Sequence, residues 1–438
     1  MMRAGFARAA ITPPVGTAMM GFGTRDMERG CDAVHDDIFA RVLYLQDGAE
    51  KALVIGLDLC FVGRADADRL KGAIGRHMDV LPRAILINAS HSHSGPRVGT
   101  WHYAGYVPPD RLYLDRLEDA VVRASCEARD AARPVRISAG ATRTRLPMNR
   151  RRRVSSGAIE NRPNPEGRVY DRLPVCRLDA VSGGPVCLLF STSCHPSMMT
   201  GWEISAEYPG AAARRIDERL GTPCALFLQG VGGDAKPRVI GGECDVWQAG
   251  TWDLMEQAGA MVADETARLL DQGLDKVQPS LKTASMETEW PLQRVPDRVE
   301  FEVMAAETPP ERRLRDVRHM WARRMIDRLD RGELLPDCAR LTIQTVRIAQ
   351  EVRLVSLEGE AVADWGFFIE EHYGQGVTFP LGYSNGEGLY LPTTAMLDEG
   401  GMEVESYWEY GYPAPLAPGM EQVVRDALVR LQAGLDGA

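Results

Sequence analysis

Along the chain, short apolar runs alternate with stretches in which apolar residues recur every three or four positions. The runs 40–46, 51–57 and 84–89 are short, rich in Val, Ile and Leu, and bounded by polar residues, which predicts buried strands. Over 110–132, Leu114, Leu117, Val121, Ala124 and Ala128 fall on one side of a helical repeat and predict a helix packed by that face. The same reasoning predicts strands over 174–179, 186–191, 224–229 and 281–289, and helices over 209–220, 250–272 and 420–435. A charged amphipathic helix is expected over 309–332, and a strand pair or long ribbon over 340–357. This alternation points to the α/β class, with a mixed β-sheet core covered by helices. The stretch 141–171 breaks the pattern with Arg, Asn, Pro and Gly, and is expected to be a long surface loop. No repeat or linker divides the chain, so residues 1–438 are expected to form one large domain.

Bulk properties narrow the partners. With 45% hydrophobic residues the 438-residue chain can bury a large core. A net charge of −10 argues against a nucleic acid or an anionic membrane, both of which call for a basic face. There is no uninterrupted apolar run of ~20 residues, the length that spans a bilayer, and the N-terminus lacks the apolar core of a secretion signal. A cytoplasmic location is therefore expected. The nine cysteines are odd in number and form no Cys-x-x-Cys pair, which is poor for a disulfide framework or a thiolate zinc site. Any metal must use histidine and carboxylate.

Candidate chemistry gathers at strand exits, where α/β sheets commonly bind ligands. The predicted strand 84–89 runs into His91-Ser-His93, and an extended backbone would aim both imidazoles to one side. Alone this pattern is weak. The predicted strand 186–191 runs into Cys194-His195-Pro196, and two such exits in a chain with eight histidines make a metal site an even bet against ordinary buried histidines. Glu358 and Glu360 follow a further apolar strand and compete as carboxylate ligands; Glu360 is expected at a helix start, where an acid is also ordinary dipole complementation. Gln229-Gly-Val-Gly-Gly-Asp234-Ala-Lys236 permits close backbone approach, though a plain tight turn explains it as well, and its spacing matches no nucleotide-binding fingerprint.

Taken in order, these segments resemble the N-terminal catalytic domain of the neutral (non-lysosomal) ceramidase family. The resemblance rests on Ala10-Ile-Thr-Pro-Pro-Val-Gly16, Asn88-Ala-Ser-His91-Ser-His93-Ser-Gly-Pro96, Cys194-His195-Pro196 with Ser205-Ala-Glu-Tyr-Pro-Gly210, Gln229 to Asp234, Gly359-Glu360, and Gly382-Tyr-Ser-Asn385-Gly-Glu-Gly-Leu-Tyr390. It implies a zinc ion held by His91, His195, Glu360 and Tyr390, and so prefers Glu360 to Glu358. It implies that His93 stands beside the activated water or the substrate carbonyl, and that Arg150 in Met148-Asn149-Arg150 contacts substrate. It draws attention to Asp234, Lys236 and Met402 as candidate substrate contacts. Two of these depart from the family, which has serine where Lys236 stands and tyrosine where Met402 stands. The family's further β-domain has no counterpart, so a short member is expected.

The function so implied is hydrolysis of a carboxamide by zinc-activated water, with His93 as proton donor to the leaving nitrogen. Lys236 is expected to bind an anionic part of a small soluble N-acyl substrate, or else to pair with Asp234. The alternatives are a ceramide or other N-acyl lipid, an ester or lactone cleaved at the same site, and a non-catalytic member that only binds. The oligomeric state is not legible.

Overall fold

The structure, a computed structural model, describes residues 1–23, 25–26, 29–99, 108–242, 245–306, 315–386 and 388–437, without the side chains of 315–317. A nine-stranded mixed sheet forms its centre. Its strands run in the order Ala225–Gln229, Pro185–Thr192, Arg172–Ala180, Arg133–Arg143, Arg3–Ala10, Phe39–Asp47, Glu50–Leu57 and Ile85–Ala89, with Asp275–Val277 pairing to Arg133–Arg143. The outermost pair at each end is parallel, while the neighbouring pairs inside them, Pro185–Thr192 with Arg172–Ala180 and Phe39–Asp47 with Glu50–Leu57, are antiparallel.

The two end strands curl back toward each other, and Asn88 joins them. Its Nδ2 donates to the Gln229 carbonyl (3.2 Å), the Gly382 carbonyl (2.9 Å) and Ser384 Oγ (3.1 Å). Its Oδ1 accepts from the Gln229 N–H at 2.7 Å. Gly382 follows Val377–Leu381, the last strand of a second, four-stranded sheet with Pro279–Pro291, Cys338–Ala349 and Val352–Leu357. One buried amide thus fastens both edges of the first sheet to an edge of the second.

Helices cover these sheets for the reasons their patterns suggest. Arg111–Asp130 starts where Asp110 accepts the Leu112 N–H, and it buries Leu114, Leu117, Val121, Ala124 and Ala128. Glu207–Leu220 stops at Gly221, whose φ of 70° is a conformation glycine takes without penalty. The expected strands and helices recur within one or two residues at most positions, and the ribbon over 340–357 is the antiparallel pair Cys338–Ala349 and Val352–Leu357. The helix expected over 309–332 is Arg315–Asp330, and its first expected turn lies outside the described residues.

Two expectations need correction. Residues 141–171 are largely sheet: Pro147–Arg153 pairs with Ile159–Asn164 and with Ala235–Pro237, and Met148, Asn149, Arg150 and Arg151 are buried. The arginines tolerate burial because acids from far along the chain, Glu403 and Glu399, reach them. Glu360 begins no helix; it lies in a two-residue strand, and the helix Ala363–Tyr373 follows. The strand Arg3–Ala10 and the helix Arg298–Ala306 were not anticipated. Among the described residues no helix is long and apolar enough to cross a membrane.

Asn88→Ala is expected to cost several kcal/mol, since each buried backbone group left unpaired costs ~1–3 kcal/mol. Urea denaturation checks this; Ser384→Ala, which removes only one of the contacts, should cost far less.

Candidate active site

His91 leaves the end of Ile85–Ala89 on a left-handed backbone, φ 65°, rather than the extended one expected from its pattern. The Ser90 and His91 N–H groups donate to the Leu57 and Leu59 carbonyls and hold this kink. Strain of this kind costs ~1–3 kcal/mol and persists only where the surroundings impose it. Both rings still reach one place: His91 Nε2 and His93 Nε2 are 3.1 Å apart, with the ring planes nearly perpendicular. His93 is held from behind by Arg25, which donates to its carbonyl at 2.7 Å. Gly21 packs so closely on the His93 ring that a Cβ there would stand 2.6 Å from its Cα.

His195 enters from the end of Pro185–Thr192, its N–H bonded to the Ala235 carbonyl. Its Nδ1 lies 2.6 Å from the Gly232 carbonyl, as His91 Nδ1 lies 2.7 Å from the Cys60 carbonyl. A carbonyl only accepts, so both Nδ1 atoms carry protons, and in the neutral rings both Nε2 atoms present lone pairs. Burial, with Arg150 nearby, pushes His195 down to about 3, so its ring is neutral. These lone pairs face Glu360 Oε2, at 3.3 Å from His91 and 3.1 Å from His195.

Glu360 and Tyr390 sit opposite each other in the short parallel pair Glu360–Ala361 and Tyr390–Leu391. Register alone therefore delivers both side chains to one spot. The Tyr390 hydroxyl is 3.4 Å from His195 Nε2 and accepts from Arg150 Nη2 at 3.0 Å. Arg150 is fixed in turn by Glu403 Oε1 at 3.0 Å. Glu360 Oε1 accepts from the Tyr410 hydroxyl at 2.6 Å, whereas Oε2 is buried without a hydrogen-bond donor among the described residues.

Three acceptor atoms converge, the carboxylate oxygen among them without a donor among the described residues, and they repel one another unless a cation lies between them. Ligand atoms ~2.0–2.2 Å from a tetrahedral zinc would stand roughly 3.3–3.5 Å apart, close to the spacing found here. The donor set, two imidazoles and a carboxylate with a phenol adjacent, therefore fits a zinc-like divalent ion.

The remaining residues separate. Glu358, the rival carboxylate, pairs with Arg64 at 2.7 Å and accepts the Thr342 N–H, away from the histidines. Lys236 and Met402 line one cavity of ≈ 210 Å³ with His91, His93, Arg150, Glu360 and Tyr390. Asp234 does not line it. Its carboxylate accepts the Ala363 N–H (2.9 Å) and the Asn149 amide (3.3 Å), so it caps a helix and braces the strand that carries Arg150. Nor does Asp234 pair with Lys236, whose ammonium instead lies over the Trp247 ring.

Three supporting residues escaped the sequence reading. Tyr410 and Glu403 lie in a segment with no periodic signal. Glu207, at φ 51°, ties the two histidine loops together by accepting from Ser94 Oγ (3.1 Å) and the Met198 N–H (2.8 Å). Its only trace was its place in the Ser205 to Gly210 segment.

No family model matches the chain, and no curated protein matches its sequence. Solved structures do. The neutral ceramidase from Pseudomonas aeruginosa superposes with a TM-score of 0.73 at 18% identity, over 99% of this chain and 74% of that one. A ceramidase complexed with C2 gives a TM-score of 0.73 at 17% identity, over 100% of this chain and 75% of that one. Over nearly its whole length, the chain has the neutral ceramidase fold that its motifs implied.

Proposed function

We propose that the chain is a zinc-dependent hydrolase of a carboxamide (N-acyl) bond in a small substrate. The observation that carries this is the meeting of His91 Nε2, His195 Nε2 and Glu360 Oε2, which has no donor among the described residues, beside a cavity that His91 and Glu360 line. His91, His195, Glu360 and Tyr390 would hold the ion. A divalent ion there supplies an acidified water at neutral pH and polarises a carbonyl oxygen. The ceramidase fold supports the amide reading, since ceramide is itself an N-acyl compound.

The chain's own residues supply the rest. Arg150 holds the Tyr390 hydroxyl and brings fixed positive charge to the cavity wall, where a developing oxyanion is stabilised most. His93 lines the same cavity, and burial drives it well below the usual imidazole range. Its neutral ring can take a proton from the attacking water and pass it to the leaving nitrogen, which an amide requires. His93 Nδ1 has no partner among the described residues. Lys236 half-emerges into the cavity and pairs with no carboxylate among the described residues, which favours a substrate bearing an anionic group over a neutral lipid. Met402 adds an apolar wall.

Elemental analysis of the purified protein should find about one zinc per chain. His91→Ala, His195→Ala and Glu360→Gln should each lose it, while Glu358→Gln should keep it and lower only Tm through the lost Arg64 pair. Full zinc occupancy in His91→Ala and His195→Ala would refute the site.

His93→Ala should keep the zinc yet lose ~10²–10⁴-fold in kcat on an N-acyl substrate, the usual worth of a positioned acid or base. If the variant loses its zinc instead, His93 is a ligand.

A further inference from the structure

The cavity has a second charged residue without a counter-ion. Glu409 lines it, and among the described residues its carboxyl group makes no hydrogen bond or ion pair. The two charged groups belong to different walls. Lys236 follows Ala235, whose carbonyl accepts the His195 N–H, so it rises beside His195 and Arg150. Glu409 precedes Tyr410, whose hydroxyl is bonded to Glu360, so it rises on the glutamate side. Both line the cavity that three of the candidate metal ligands, His91, Glu360 and Tyr390, also line.

Burial acts on both groups in the same sense. It lowers the Lys236 ammonium to about 8 and raises the Glu409 carboxyl to about 8. At neutral pH Glu409 is therefore largely uncharged and Lys236 is still charged but poorly solvated, and each gains from a ligand that brings the opposite charge into the cavity. The cavity's ≈ 210 Å³ is smaller than the ~300–1,000 Å³ of pockets for drug-sized ligands. A molecule placed there must be short, with an amide in its middle, a cation toward one wall and an anion toward the other.

We infer that Glu409 and Lys236 select a small zwitterionic amide, a dipeptide or close analogue, with its ammonium group at Glu409 and its carboxylate at Lys236. The inference rests on the amide-hydrolase reading above and gives it a substrate class. In this orientation the scissile amide crosses the His91, His195 and Glu360 atoms, and the leaving amine departs on the Lys236 side. The water oxygen bonds to the carbonyl carbon, and the C–N bond breaks. One water proton ends on the leaving nitrogen, so the products are two free amino acids. Phe22 and Met402 offer apolar surface to their side chains.

The test uses the zinc-loaded full chain and four substrates: alanylalanine, its N-acetyl form, its C-terminal amide, and the doubly capped form. The free dipeptide should lead in kcat/KM by on the order of tenfold or more over either singly capped form, the worth of a hydrogen bond to a charged group. Glu409→Gln should abolish the penalty for N-acetylation alone, and Lys236→Met the penalty for amidation alone. Calorimetric titration of metal-free protein with alanylalanine and its capped forms gives a second readout. Hydrolysis of capped and free forms alike, or an equal loss on all four substrates in Glu409→Gln, overturns the inference and leaves the amide-hydrolase reading standing. Charge-selective binding with no hydrolysis of any amide overturns that reading and keeps the assignment of the two walls. Absence of both binding and hydrolysis overturns both.

Discussion

The buried carboxamide of Asn88 is the constraint on which the rest depends. An open sheet of this size leaves its end strands far apart and unpaired on one edge. Here one side chain satisfies the backbone of Gln229 from both sides and takes up the Gly382 carbonyl as well. Three strand ends are fixed within hydrogen-bonding distance of a single residue. His91 lies three residues after it, Gly232 three residues after Gln229, and Tyr390 in the segment after Gly382. The geometry of the candidate metal site follows from this one seam, because the Gly232 carbonyl orients His195 and the short pair with Glu360 orients Tyr390.

A second layer of order is electrostatic. Arg150 and Arg151 are buried, which is tolerable only because Glu403 accepts from both and Glu399 from Arg151. This cluster presses the strand Pro147–Arg153 against the segment that carries Met402. Asp234 joins in by bridging that strand to the start of the helix Ala363–Tyr373. Removing one acid would strand a guanidinium in the interior, so the cavity wall is rigid for reasons unrelated to the metal.

These two layers explain what could be read from the sequence. The helix carrying Leu114, Leu117 and Val121 was legible because its signal is local: apolar spacing plus Asp110 at its start. His91 and His195 were suggested by two histidine-bearing strand exits, but their meeting with Glu360 and Tyr390 was legible only through the ordered motifs around them, since no local pattern says that the four meet. Residues 141–171 misled because charge read along the chain looks solvated, while the acids that neutralise it come from residues 399 and 403. Asp234 misled because its loop borders the site while its carboxylate serves the backbone of Ala363. Tyr410 and Glu409 gave no signal, for they lie in a short turn without periodicity.

The in-register pair of Glu360 with Tyr390 has a consequence for the order of assembly. The four candidate ligands lie on four segments spread through most of the chain, and this short bridge follows the parallel pairing of Val352–Leu357 with Val377–Leu381 in the second sheet. An unfolded chain offers an ion little more than a His-x-His, so ion affinity belongs almost entirely to the finished fold. An ion held there would favour the completed state by mass action.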